Sequence, residues 1–181
     1  MQLLDCLASR RTIHQFRPDP VPRDVLDRAL EMACWAPNHR LTEPWCFHVL
    51  GAETAAALVE LNTRIIAEHA RPEFVEQKRL AFAAVPQWVV VASEIDENPA
   101  IAREDYAACA CAVHNLSLAL WAEGIGCKWT TGPVTLRPEF YDLVWLDPKT
   151  QVVVGLLMLG YPAQVPKASR KPWREMTVEL P

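Results

Sequence analysis

Apolar residues follow helical spacing in some stretches of the chain and form continuous runs in others. Val25, Leu26, Ala29 and Ala33 recur at helical spacing, which predicts an amphipathic helix over 22–35. The same reasoning predicts further helices over 2–9, 53–69, 71–84 and 100–123, and strands over 45–50, 87–92, 127–131 and 152–159. This order of elements indicates a fold with one sheet, either α+β or α/β.

Two segments of the sequence suggest contact with another subunit. The middle of the longest predicted helix, Ala107–Val113, is apolar on every side, as in a helix that is buried in a large core or against another subunit. Because the chain is small, we expect a subunit interface there. The tail over 163–181 lacks a hydrophobic core, and we expect it to lie on a partner subunit.

Composition narrows the class of protein. The 181 residues are enough for one domain, 1–181, and 51% of them are hydrophobic. The net charge of −4 gives no general attraction to nucleic acid, and no apolar stretch approaches the ~20 residues of a membrane span. With no signal-peptide pattern, we expect a cytoplasmic protein.

The six cysteines form no metal or disulfide pattern in the sequence. No Cys-x-x-Cys pair occurs, so reduced core cysteines are expected. Cys109, Cys111 and His114 are close in sequence, but their directions around a helix diverge, which argues against a metal site.

The first segment with candidate chemistry is Ser9–His14. In an extended chain Arg10, Thr12 and His14 share one face, and a guanidinium with a hydroxyl suits a phosphate group. Taken alone, these residues are explained more simply as solvated charges at the end of a helix.

A second segment, 35–45, places two tryptophans around a loop with donors. Trp35, His39 and Arg40 could present a flat apolar surface and hydrogen-bond donors to an aromatic heterocycle. The alternative is a turn whose tryptophans fill the core, and we favour that alternative for Trp45.

Two later segments leave both a functional and a structural interpretation open. Thr130 and Thr131 precede Gly132, which would let a ligand approach the backbone closely, although a plain helix–strand connection explains them equally well. The tail run 166–174 carries Lys167 and Arg170 between prolines, and it is either a solvated basic tail or a source of cations for the phosphate of Arg10.

In order along the chain, these segments resemble the nitroreductase family of FMN-dependent oxidoreductases, and the compact bacterial subgroup in particular. The matching motifs are S-R-R-T-I-H-Q-F, A-x-W-A-P-N-H-R followed by P-W, G-I-G-x-x-W-x-x-G, and L-G-Y-P before a basic tail. The likeness runs from about residue 4 to about residue 175.

The resemblance implies a three-layer α+β fold with a central mixed sheet flanked by helices. It also implies a homodimer with FMN at the interface, helix 100–123 in the dimer core and a C-terminal extension that embraces the partner. The FMN-binding residues that it implies are Arg10, Arg11, Thr12, His14, Trp35, His39, Trp129, Thr130, Thr131, Lys167 and Arg170.

The family's chemistry would then apply to this chain. FMN would take a hydride from NAD(P)H and reduce a flat electrophile, such as a nitroaromatic or a quinone, by a ping-pong mechanism. No protein residue is named as catalytic, and no metal is expected. An alternative is an FMN-binding storage or sensing protein without turnover. A basic-tailed interaction module is a third possibility, which the acidic net charge weakens.

Overall fold

The structure is a computed structural model that describes residues 2–181; Met1 of the expected single domain lies outside the described residues. In this range the chain forms six α-helices and four β-strands. The helices are α1 (Leu3–Ser9), α2 (Arg23–Cys34), α3 (Ala52–Ala67), α4 (Pro72–Ala83), α5 (Pro99–Ala122) and α6 (Pro138–Leu143). The strands are β1 (Trp45–Val49), β2 (Gln87–Glu94), β3 (Gly126–Thr130) and β4 (Gln151–Gly160).

The strands form one sheet in the order β1-β2-β4-β3, with every neighbouring pair antiparallel. The expected mixed sheet is therefore antiparallel in its four strands, and parallel pairing occurs at an isolated bridge between Thr12 and Cys127. The central strands β2 and β4 are continuous runs of apolar residues because both of their faces are covered.

Helices cover both faces of the sheet, which confirms the predicted three-layer α+β architecture. On one face Leu26 of α2 and Leu116 of α5 pack against Val89 and Leu157 of the sheet. On the other face Leu58 of α3 and Phe140 of α6 pack with Trp88 and other buried residues of β2 and β4. Each face buries a cluster of more than ten apolar side chains, so the sheet is the centre of the core.

The nine predicted elements all form, with ends within two residues of the prediction. The sequence patterns missed α6, a helix of six residues that begins at Pro138 and is too short to show helical periodicity. They also missed three short 3₁₀ turns, at His39–Leu41, Pro133–Leu136 and Trp173–Met176.

One expectation about burial needs correction. Cys34 and Cys111 are exposed, so the cysteines are not all core residues, although all six are free thiols. The middle of α5 leaves Ala107 and Cys111 on a face that the single chain does not cover, and this is the segment where we expect a subunit interface. Within residues 2–181, no helix is both long and apolar enough to span a membrane.

Candidate functional site

The extended segment after α1 is fastened to the end of the sheet. The amide of Ile13 donates a hydrogen bond to the carbonyl of Cys127 in β3 at 3.2 Å, and the amide of Arg17 donates to that of Tyr161 at 2.8 Å. The Ile13 side chain is fully buried and lies where a Cβ on Gly126 would be, so this close approach requires glycine. Arg10 and Thr12 are thereby held beside β3.

A cavity of about 360 Å³, which we call the Arg10 cavity, lies between this segment, β3 and α5. No acidic side chain lines it, and its polar groups include one guanidinium, two hydroxyls and one imidazole. The lining residues are Arg10, Thr12, Val113, His114, Ser117, Cys127 and Trp129. The cavity therefore offers positive charge and neutral donors, as binding of a phosphate requires.

Trp129 forms an aromatic wall of the cavity, and β4 fixes its position. Its indole Nε1 donates a hydrogen bond to the carbonyl oxygen of Val154 at 3.1 Å. The ring lies directly over Gly155, where any Cβ would collide with the indole. Glycine at position 155 therefore leaves the space that the Trp129 ring occupies over β4.

The cavity contains a thiol that stays protonated. Burial raises the pKa of the Cys127 thiol to about 11, an effect that a hydrogen bond from Ser117 and the charge of Arg10 only partly offset. At neutral pH Cys127 is therefore a small uncharged part of the wall, and it does not neutralise the guanidinium of Arg10.

Among the predicted site residues, the structure brings Arg10, Thr12 and Trp129 together. His14 does not join them, because it lines a separate depression with Gln164 and Pro166. The expectation that Arg10, Thr12 and His14 share one face therefore holds for the first two only.

Arg11 and the residues after Trp129 lie near this cavity without lining it. The Arg11 guanidinium donates to the carbonyl oxygens of Ala8 at 2.7 Å and Arg10 at 2.8 Å, so it caps the end of α1. Thr130 ends β3 and is half-buried, and Thr131 follows it and is exposed. Neither threonine lines the cavity of a single chain.

The two basic residues predicted in the tail, Lys167 and Arg170, are not held at the cavity. Lys167 and Arg170 are exposed, and the guanidinium of Arg170 donates to the carbonyl oxygen of Ser169 at 2.9 Å. Neither residue lines the cavity of its own chain.

The loop after α2 is strained and held in place by α5. Arg40, Leu41 and Glu43 have φ values of 57°, 54° and 46°, in the left-handed region that side chains with a Cβ disfavour. Asp105 is buried and accepts a hydrogen bond from the Thr42 hydroxyl at 2.7 Å. Such strain persists only where surrounding contacts enforce it, and it is common at functional sites.

Trp35 and His39 flank this loop. The Trp35 side chain is 77% exposed, so it does not fill the core of its own chain. His39 Nδ1 lies 2.6 Å from Glu104 Oε2, and this contact lowers the pKa of the Glu104 carboxyl. Neither residue lines the Arg10 cavity.

Sequence reasoning missed four residues of the cavity: Val113, His114, Ser117 and Cys127. The spacing of His114 and Ser117, i and i+3 in an otherwise apolar helix, was the available signal for a polar patch on one face. His114 was considered only as a metal ligand. Residues 2–181 contain no group of three or more His, Cys, Asp or Glu side chains placed to hold a metal ion.

Comparison with known proteins supplies the family. The model of the nitroreductase family matches residues 7–161, most of the chain. The chain belongs to the nitroreductase family. This membership confirms the resemblance seen in the motifs and makes the protein an oxidoreductase.

Individual relatives agree with this family assignment. YfhC of Bacillus subtilis (strain 168), named as an NAD(P)H nitroreductase, is 32% identical over 98% of this chain and 94% of its own length. The crystal structure of a nitroreductase-like family protein from Bacillus cereus is 28% identical, with a TM-score of 0.85 over 99% of this chain and 96% of that one. Iodotyrosine deiodinase, crystallised with FMN and 3-iodo-L-tyrosine, is 25% identical, with a TM-score of 0.74 over 94% of this chain and 96% of that one.

Proposed function

We propose that this protein is an FMN-dependent NAD(P)H oxidoreductase that reduces a flat electrophile, such as a nitroaromatic or a quinone, by a ping-pong mechanism in the cytoplasm. The observation that carries the proposal is the cavity between Arg10, Thr12 and Trp129, which combines a cation, neutral donors and an aromatic wall. Bound FMN supplies hydride and electron transfer, while the protein positions it and excludes water.

The cavity residues fit a flavin mononucleotide. Arg10 provides a planar fork for the phosphate, and the Thr12 hydroxyl adds a neutral donor. Trp129 and Val113 supply the apolar surface that a flat ring system needs. The absence of a carboxylate from the lining and the protonated Cys127 leave no negative charge to repel the phosphate.

The other predicted FMN contacts stay predictions that fit different parts of the cofactor. Thr130 and Thr131 follow Trp129 directly, so their backbone would pass the ring system. The contacts of Arg11 and His14 require both side chains to turn from their present positions. Lys167 and Arg170 would reach the phosphate from the tail.

A second copy of the chain would complete the site. His114 lines the cavity and is also exposed on the open face of α5, so the cavity opens toward the face where we expect the partner. On α1, Leu3, Leu4 and Leu7 are exposed apolar side chains without cover. A homodimer through these faces would bury them and bring Trp35 and His39 of the partner to the cofactor.

Replacing Arg10 tests the cavity directly. Loss of a charge-assisted hydrogen bond costs about 1.5–3 kcal/mol, so Arg10→Ala should weaken FMN binding roughly 10- to 150-fold. Titration of flavin-free protein with FMN measures this effect. Arg23→Ala is the matched control, because its guanidinium pairs with Asp27 on the exposed surface of α2 and no loss of FMN affinity is expected. Unchanged affinity in Arg10→Ala, or an equal loss in both variants, would contradict the assignment.

A further inference from the structure

Trp145 occupies a backbone position where glycine is the usual residue. It follows α6 with a φ of 58°, in the left-handed region. The amide of Leu146 donates to the carbonyl of Tyr141 at 2.9 Å, and that of Trp145 to the carbonyl of Asp142 at 3.3 Å. These two bonds form a Schellman motif, in which the left-handed residue is usually glycine because it has no Cβ.

Packing does not explain this tryptophan. Its side chain is 90% exposed, the highest value among the large apolar residues of the described chain. A bulky residue at positive φ is a backbone outlier, and here the indole gains almost no burial in return. Both features disfavour tryptophan for stability, so contact with another molecule is the explanation that remains.

Trp145 stands beside a cavity of about 350 Å³, within the usual size range of small-molecule sites. Leu143 and Val144 form its apolar side, and Gly51 and Thr54 at the start of α3 form its polar side. No side chain caps the first turn of α3, so the amides of this turn are free to donate hydrogen bonds. The turn borders the cavity, because Gly51 and Thr54 line it. This cavity shares no lining residue with the Arg10 cavity.

The charges around the cavity restrict its occupant. No lining residue carries a formal charge. His48 also lines it, with Nε2 3.2 Å from the Sγ of Cys46, and burial lowers the pKa of this imidazole, which keeps it neutral. The residues next to the lining positions in sequence, Glu53 and Asp142, are acidic and exposed. An anion therefore has no cation to pair with here.

We propose that this cavity is a second binding site, which takes a small, planar, uncharged aromatic molecule bearing a carbonyl oxygen. The ring stacks on Trp145, and the carbonyl oxygen accepts a hydrogen bond from the amides at the start of α3. Stacking explains why an aromatic residue stands exposed on a disfavoured backbone. The proposal does not depend on the reaction at the Arg10 cavity.

Nicotinamide is a suitable probe, titrated into the holoenzyme with ¹⁵N-labelled tryptophan and followed by the indole N–H signals. The Trp145 signal is identified by its loss in Trp145→Phe. It should shift saturably, with a dissociation constant of its own, while the Trp129 signal reports separately on the Arg10 cavity. The non-aromatic analogue cyclohexanecarboxamide, which cannot stack, should shift the Trp145 signal less and bind roughly 3- to 10-fold more weakly. An unmoved Trp145 signal with nicotinamide, or equal shifts with both compounds, would overturn the proposal.

Substitutions at 145 separate stacking from a structural role. Trp145→Phe keeps an aromatic face and should bind nicotinamide almost as well, whereas Trp145→Leu should bind it roughly 3- to 10-fold more weakly. Trp145→Gly should lose binding and raise the Tm by about 2–4 °C, because glycine relieves the backbone strain. A lower Tm for Trp145→Gly, or unweakened binding by Trp145→Leu, would show that the tryptophan has another purpose.

Discussion

The two central strands bury their apolar side chains, whereas the C-terminal tail exposes its apolar side chains. In β2 and β4, Val90 and Leu157 are fully buried within one chain. In the tail, Trp173 and Leu180 are exposed, as is every other residue of 163–181. The core is thus complete in a single chain, whereas the tail has apolar residues that only another molecule could cover.

The same difference separates the two halves of the proposed flavin site. Arg10, Thr12 and Trp129 are held by hydrogen bonds and packing within one chain. The side chain of Trp35, at the end of α2, is by contrast 77% exposed in the single chain. In the proposed site a single chain therefore forms the floor, and the proposed partner subunit would supply the cover.

Substitution of Leu157 should give the largest loss of stability. Leu157→Ala leaves a cavity in the fully buried core and should lower the free energy of unfolding by about 2–5 kcal/mol at every protein concentration. Leu180→Ala is the matched variant in the tail. Its effect should be smaller and should disappear on dilution, since the stability that it affects comes from association. Urea denaturation at several concentrations measures both. A concentration-independent loss for Leu180→Ala would break the comparison.

If the protein forms the proposed dimer, ending the chain after Tyr161 should weaken that dimer while leaving the sheet intact. The cut removes the bond from the amide of Ala163 to the carbonyl of Gln15, but no residue of β1–β4. Sedimentation should then show dissociation, and circular dichroism should show a folded protomer. A second truncation after Pro172, which keeps Lys167 and Arg170, tests whether the apolar end of the tail is the part that matters. A shortened protein that remains dimeric with normal flavin content would contradict the role of the tail.

Gly155→Ala should have the smallest effect of the three changes predicted here. It tests whether Trp129 forms the aromatic wall of the flavin site. The added Cβ collides with the Trp129 indole, which must leave Val154, and overpacking of this kind costs about 1–3 kcal/mol. Gly51→Ala meets no atom within 4 Å and, as a change at the N-cap of α3, should cost no more than about 1 kcal/mol while leaving FMN affinity normal. Thermal denaturation and FMN titration check both variants. Normal FMN affinity in Gly155→Ala would show that Trp129 is not part of the site.

Much of this fold could be predicted from the sequence because its elements are long and periodic. The runs in β2 and β4 and the spacing in α2 are strong signals of buried strands and of an amphipathic helix. Helix α6 was missed because six residues are too few for a period. The exposure of Cys111 was missed because the composition of α5 shows that it is apolar, but not which neighbour covers each face.

The candidate site was only partly predictable. Motifs located Arg10, Thr12 and Trp129, which the fold does bring together. The separation of His14 depends on how the extended segment bonds to β3 and to the residues that follow β4, and no local pattern shows that. His114 and Ser117 reach the cavity only because α5 crosses beside β3, a tertiary arrangement that the spacing within α5 does not determine.

The most direct test of the central claim is the visible absorbance of the purified protein under anaerobic conditions, before and after NADPH and then after a quinone. A flavin spectrum that bleaches with NADPH and returns with the quinone is the predicted result. Colourless protein that does not take up FMN would contradict the flavin site. A bound flavin that stays oxidised with both NADH and NADPH would contradict turnover and favour storage.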